Sequence, residues 1–110
     1  MSKRELTILH TNGAVRILHH LAGCGETGAH RSEIGRSVNL SGGTVSAYLS
    51  ALRHGHFNPG VSSLLHRNGL AYKGEDFRPL VENARGTGMY RLSDDGRQLL
   101  SKVRFGWDWR

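Results

Sequence analysis

The sequence predicts a mainly α-helical domain carrying one small β-hairpin, and three observations lead there. Apolar residues recur at helical spacing in several separate stretches. Two short runs with strand character, 70–73 and 89–92, flank a glycine-containing loop. Punctuation is by glycine rather than proline, with 15 Gly against 2 Pro. A chain of 110 residues supports one core, so the domain is read as 1–110 with no separate catalytic or ligand-binding unit.

The elements follow in order. Over about 5–22, Ala14, Val15, Leu18, Leu21 and Ala22 share one helical face. Thr11 or Asn12 suits an N-cap, which leaves Leu6, Ile8 and Leu9 to a preceding turn. Gly23 and Gly25 end this helix, and 23–28 reads as a loop. A short helix over 31–38 turns Ile34 and Val38 inward, and Asn39 tolerates the left-handed backbone of a tight turn. Ser41 then caps a third helix over 42–54, with Val45, Tyr48, Leu49 and Leu52 on its apolar face. Residues 56–60 are a turn, and the segment 61–68 ends at Gly69. Strands at 70–73 and 89–92 are joined by a long loop, 74–88, containing Arg78, Pro79 and Arg85. Ser93 caps a last helix whose first turn holds Asp94 and Asp95, favourable at the positive end of its dipole. Leu99, Leu100 and Val103 supply that helix's apolar face.

Charge narrows the partner. The formal net charge is +6, and between Thr27 and Gly74 five cations (Arg31, Arg36, Arg53, Arg67, Lys73) meet one acid, Glu33. Such a balance favours a polyanion, nucleic acid before a membrane surface. The single cysteine, Cys24, can form neither an intramolecular disulfide nor a multi-cysteine zinc site, and no activating partner for it is visible. No apolar run approaches a membrane span, and the first residues do not form a signal peptide, so a cytoplasmic location is expected. No nucleophile, base and orienting group stand at a recognised spacing, so neither a catalytic residue nor a cofactor is expected. The histidines suggest a metal through His54-x-His56 with His66, or through His19-His20. Neither set has an i, i+4 pair with a third ligand at a recognised spacing, so no metal site is expected.

The helix, turn and helix over 31–54, with small Gly35 where the two helices cross, resemble the helix-turn-helix of bacterial and archaeal transcription regulators. Gly-Leu and a strand at 69–72, a loop, the strand 89–92 and then Ser93-Asp94-Asp95-Gly96-Arg97 are similar to the wing and following helix of MarR-like winged-helix regulators. The likeness spans about 14–103. It departs from the pattern in the extra segment 57–68 and in the length of the loop 74–88. The resemblance implies a winged helix-turn-helix: helix-turn-helix over 31–54, wing over 70–92, and C-terminal helix and aromatic tail over 93–110. It further implies a double-stranded DNA-binding transcriptional regulator, a repressor acting by operator occupancy. Two alternatives stay open: a winged-helix protein-interaction module, and a phage or plasmid architectural DNA-binding factor.

A helix that enters the major groove must present groups to base edges. With Val45 and Leu49 inward, the helix over 42–54 presents Gly43, Ser46, Ala47, Ser50 and, at its margin, Arg53. Arg31, Arg36, Lys73, Arg78 and Arg85 are the expected phosphate contacts, joined by Ser41 and Thr44 at the helix N-terminus. The segment 61–68 is the alternative recognition helix. The tail Phe105-Gly106-Trp107-Asp108-Trp109-Arg110 carries two tryptophans, costly to leave in water. They are read with the final helix as a homodimer contact.

Overall fold

The computed structural model describes residues 13–71 and 74–107, with the backbone alone over 102–107. The described residues form five α-helices and a small three-stranded antiparallel sheet, an order compatible with a helix-plus-wing fold. Helix α1 spans Gly13–Cys24, followed by a 3-10 turn (Gly25–Thr27) and strand β1 (Ala29–His30). Helices α2 (Arg31–Val38), α3 (Gly42–His54) and α4 (Pro59–Arg67) come next. Strands β2 (Val81–Asn83) and β3 (Met89–Leu92) then lead into α5 (Asp94–Trp107).

The core is one apolar cluster shared by every helix. Val15, Leu18 and Leu21 of α1 meet Ile34 of α2, Val45, Leu49 and Leu52 of α3, Leu64 and Leu65 of α4, and Leu99 and Leu100 of α5. Two positions on α1 differ from the sequence expectation: Ile17 is fully buried and Ala22 is exposed. The reason is that α1 touches α2 and α3 as well as the sheet and α5, so its buried arc is wider than one stripe and ends before Ala22.

Two of the expected caps, at Ser41 and Ser93, are made by the named side chains, and Asn58, read only as part of a turn, supplies a third; Thr11 and Asn12 lie outside the described residues. Ser41 Oγ accepts from the Thr44 N–H at 3.2 Å and donates to Thr44 Oγ1 at 2.9 Å. Asn58 Oδ1 accepts from the Gly60 and Val61 N–H groups ahead of α4, whose first residue is Pro59, a residue suited to that place because it needs no donor. Ser93 Oγ accepts from the Gly96 N–H at 3.0 Å and donates to the Pro79 carbonyl at 2.7 Å, tying the start of α5 to the approach to β2. Caps of this type are each worth about 1 kcal/mol.

The sheet is where the structure departs most from expectation. Its order is β1-β3-β2, with β3 central; Ala29 and His30 pair with Tyr90 and Met89, and Val81, Glu82 and Asn83 with Leu92, Arg91 and Tyr90. The expected strand at 70–73 is not formed at Leu70 and Ala71, and Tyr72 and Lys73 lie outside the described residues. The Leu70 N–H is already engaged, donating to the Leu65 carbonyl at 2.9 Å, while the Gly69 N–H donates to His66 at 3.0 Å. This pair of bonds, with Gly69 at φ 71°, closes α4 in a Schellman motif and leaves Leu70 to pack on the core. The partner of β3 is instead Val81–Asn83, inside the stretch read as a loop. The hairpin turn therefore shrinks to 84–88, held by Thr87 N–H to Ala84 carbonyl (3.0 Å) and by Asn83 Nδ2 to Thr87 carbonyl (2.8 Å). Finally, α5 continues to Trp107, so Phe105, Gly106 and Trp107 of the aromatic tail continue that helix, and Asp108, Trp109 and Arg110 lie outside the described residues.

Candidate nucleic-acid interface

The junction of α2 and α3 is built around one carbonyl. The Gly35 oxygen accepts from the Asn39 N–H, which closes α2, and from the Leu40 N–H at 2.9 Å. Asn39 takes the left-handed conformation expected of it, φ 60° and ψ 51°. A Cβ on Gly35 would stand 3.0 Å from the Leu40 carbonyl oxygen and 3.5 Å from Val45 Cγ2, so the missing side chain is what lets the turn and α3 close onto α2. Arg16 of α1 adds a bond from Nη2 to the Val38 carbonyl, satisfying an end carbonyl of α2.

This packing decides which side of α3 faces solvent. Val45, Leu49, Ala51 and Leu52 are buried, while Gly43, Thr44, Ser46 and Ala47 are exposed, as the helical spacing predicts. No heavy atom beyond its neighbours comes within 4 Å of where a Cβ on Gly42 or Gly43 would be, so the first turn of α3 is open to close approach. Ser50 behaves differently from expectation. It is half-buried, and its Oγ shares a 2.6 Å hydrogen bond with His56 Nδ1, so it holds the loop after α3 and does not offer a free hydroxyl. Tyr48 packs on the core, its ring against Gly13 and Gly60.

Among the described residues, Arg31, Arg36, Arg53, Arg67, Arg78 and Arg85 make no ion pair. Arg31 and Arg36 are exposed on α2, and Arg53 is half-exposed near the end of α3. Arg85 sits at the tip of the β2–β3 turn beside Gly86, whose φ is 70°. Arg78, expected in the same loop, instead precedes β2 and is outside the hairpin. Lys73 lies outside the described residues. The hairpin is joined to the start of α2 at its turn, since the Arg31 N–H donates to the Gly88 carbonyl at 2.9 Å. His30 caps α2 through Nδ1, which accepts from the Ser32 N–H at 3.2 Å, and its ring lies over Gly88 so closely that a Cβ there would stand 2.5 Å from Nε2. The alternative recognition segment forms α4; it buries Val61, Leu64 and Leu65 and exposes Ser63, His66 and Arg67.

Two further features were not anticipated from the residues. Phe57, in the loop between α3 and α4, is 77% exposed. His20, Cys24 and Glu33 converge between α1 and α2, with their ligand-capable atoms within 4.8 Å of one another. Burial first, and the Glu33 carboxylate second, push the Cys24 thiol above its ordinary value. The i, i+4 spacing of His20 and Cys24 was a usable signal, whereas Glu33 joins them only through the α1–α2 packing. Among the described residues no helix is long and apolar enough to cross a membrane. A scan against protein-family models finds no match to this chain, and searches of curated proteins and of solved structures return none either.

Proposed function

We propose that this chain is a winged helix-turn-helix protein that binds double-stranded DNA with sequence preference, a transcriptional regulator of the MarR-like type acting as a repressor by operator occupancy in the cytoplasm. The observation that carries the reading is the α2–turn–α3 unit. Its inner face is locked into the core, and its outer face offers small polar residues, with arginines on the same two helices that form no ion pair among the described residues. In this reading α3 enters the major groove, with Gly43, Thr44, Ser46 and Ala47 at the bases or sugar-phosphate edge. Arg53 is the one side chain there able to make a bidentate guanine contact, worth about 1–3 kcal/mol of discrimination. Arg31 and Arg36 hold phosphates, Ser41 and Thr44 contribute the helix N-terminus, and Arg85 at the hairpin tip reaches the minor groove. Because only one strongly discriminating side chain is available, sequence preference leans on groove shape as well. The chain acts as a homodimer through α5, matching a two-fold operator.

The exposed Phe57 favours a second reading, in which the same basic domain docks an acidic protein through the α3–α4 loop. Fluorescence anisotropy of a labelled duplex, titrated with protein at several salt concentrations, separates the two. With Lys73, Arg78 and Arg85 neutralising phosphates alongside Arg31 and Arg36, five contacts give a log–log slope of about −5. Absence of binding even at low salt removes the DNA reading and leaves the protein-docking one.

A further inference from the structure

The end of α1 and the first turn of α2 bring together three side chains that DNA binding does not use. His20 and Cys24 stand four residues apart on α1, which puts them on one face a turn apart, and Glu33 reaches the same point from α2. His20 Nε2 lies 3.7 Å from Cys24 Sγ and 3.5 Å from Glu33 Oε2. We propose that His20, Cys24 and Glu33 bind one divalent transition-metal ion of borderline softness, zinc first, with a fourth position open to water.

The spacing fits such an ion. Zinc bonds of about 2.3 Å to sulfur and about 2.1 Å to nitrogen or oxygen, at a tetrahedral angle, put a nitrogen and a sulfur ligand about 3.6 Å apart and a nitrogen and an oxygen ligand about 3.4 Å apart. The two separations from His20 lie close to these, and Cys24 Sγ and the Glu33 carboxylate, within 4.8 Å of one another, must approach to about 3.6 Å for the site to close around a metal. The donor chemistry fits too. Nε2 holds at most one proton, yet it faces both a thiol and a carboxylate. A proton on it serves the carboxylate and leaves the sulfur poorly paired; its absence reverses the case. A cation at the centre satisfies all three atoms together. A thiolate, a carboxylate and a neutral imidazole carry two negative charges, which balance a divalent ion. The thiolate and imidazole select zinc, cobalt or a similar ion over calcium and magnesium, which take oxygen ligands. Access is available, because Glu33 is exposed and His20 and Cys24 are only partly buried. A metal held here ties α1 to α2, so it adds to the stability of the fold whether or not the chain binds DNA.

The test is cobalt(II) titration of the full chain, reduced and freed of any affinity tag, followed by zinc competition. The expected result is one equivalent of cobalt showing a thiolate charge-transfer band and the visible bands of a four-coordinate ion, both erased by zinc. Cys24→Ser abolishes the charge-transfer band. His20→Ala and Glu33→Gln each weaken binding by about 100-fold or more, since even the groups that merely orient a ligand are worth about 10- to 100-fold. A His54→Ala/His56→Ala variant keeps the spectrum. Zinc also raises the thermal midpoint of the parent chain and not that of Glu33→Gln, a variant that keeps side-chain size at an exposed position. No thiolate band, or a band that survives both His20→Ala and Glu33→Gln, overturns the site and reduces it to thiol binding by Cys24.

Discussion

The arginines of the two halves of this domain live in different company. In the sheet and at the start of α5, Arg91 Nε donates to Glu82 at 2.9 Å and Arg97 Nη1 donates to Asp94 at 3.1 Å. Together with Glu26 these four side chains line one polar cleft in which both signs of charge mix. Among the described residues, Arg31, Arg36 and Arg53 of α2 and α3 form no ion pair, and Glu33 of α2 pairs with His20. The contrast shows that acids accompany the arginines Arg91 and Arg97 and not those of α2 and α3. Of the paired arginines, Arg91 cross-links neighbouring strands and Arg97 joins a residue three earlier on α5; of the unpaired ones, Arg31, Arg36 and Arg53 lie on α2 and α3, Arg67 on α4, and Arg78 and Arg85 before and at the tip of the hairpin. Unpaired cations cost little at a solvent-exposed surface, and they gain only when a polyanion arrives.

The largest expected effect comes from removing what holds the two halves in one frame. Leu49→Ala empties a fully buried site on α3 and costs about 2–5 kcal/mol, read as a lower urea midpoint with an unchanged slope. Next comes Gly96→Ala at the paired end. Its Cβ would stand 2.2 Å from the Leu80 carbonyl oxygen, which also accepts from the Ser93 N–H, so α5 must shift away from the sheet. A loss of about 3 kcal/mol in thermal unfolding is expected, with the salt slope of duplex binding kept in the folded fraction. Arg53→Ala with Arg85→Ala acts on the unpaired set. Stability stays within about 0.5 kcal/mol, while preference for the specific duplex over a random one falls by about 1–3 kcal/mol at the guanine read by Arg53, and the slope of log affinity against log salt shallows by about 1 or less. A specificity ratio that does not move would sink the assignment of these two residues. The smallest effect is at the exposed Glu82–Arg91 pair. Glu82→Gln changes stability by about 0.5 kcal/mol or less, yet it frees Arg91 and raises the net charge by one. Nonspecific duplex affinity then rises slightly at low salt and converges with the parent as salt increases.

Sequence reading went furthest where local chemistry decides. Asn39 and Ser41 mark the turn between α2 and α3 because one tolerates the left-handed conformation and the other satisfies a free N–H, and neither needs a distant partner. The exposed face of α3 followed from helical spacing alone, except at Ser50, where the later loop returns His56 to the hydroxyl. The hairpin was half legible. Met89–Leu92 has the alternation of a strand, but Val81–Asn83 is three residues long and polar at two of them, too little pattern to register. Leu70 and Ala71 looked more like its partner, and only the Schellman closure of α4 takes the Leu70 N–H out of reach of a ladder. Strand Ala29–His30 is two residues long and exists only because β3 lies beside it.

The sequence by itself determined the helices around one core, the caps at Ser41 and Ser93, the crossing that needs Gly35, and the excess of cations over 27–74. These depend on residues within a few turns of one another, where periodicity and hydrogen-bonding capacity act without knowledge of the fold. Only the tertiary structure decided which strand pairs with β3, which arginines find an acid, and that Glu33 meets His20 and Cys24. Those outcomes turn on distances between segments far apart in the chain. Such distances are set by how the apolar faces of all five helices are buried at once.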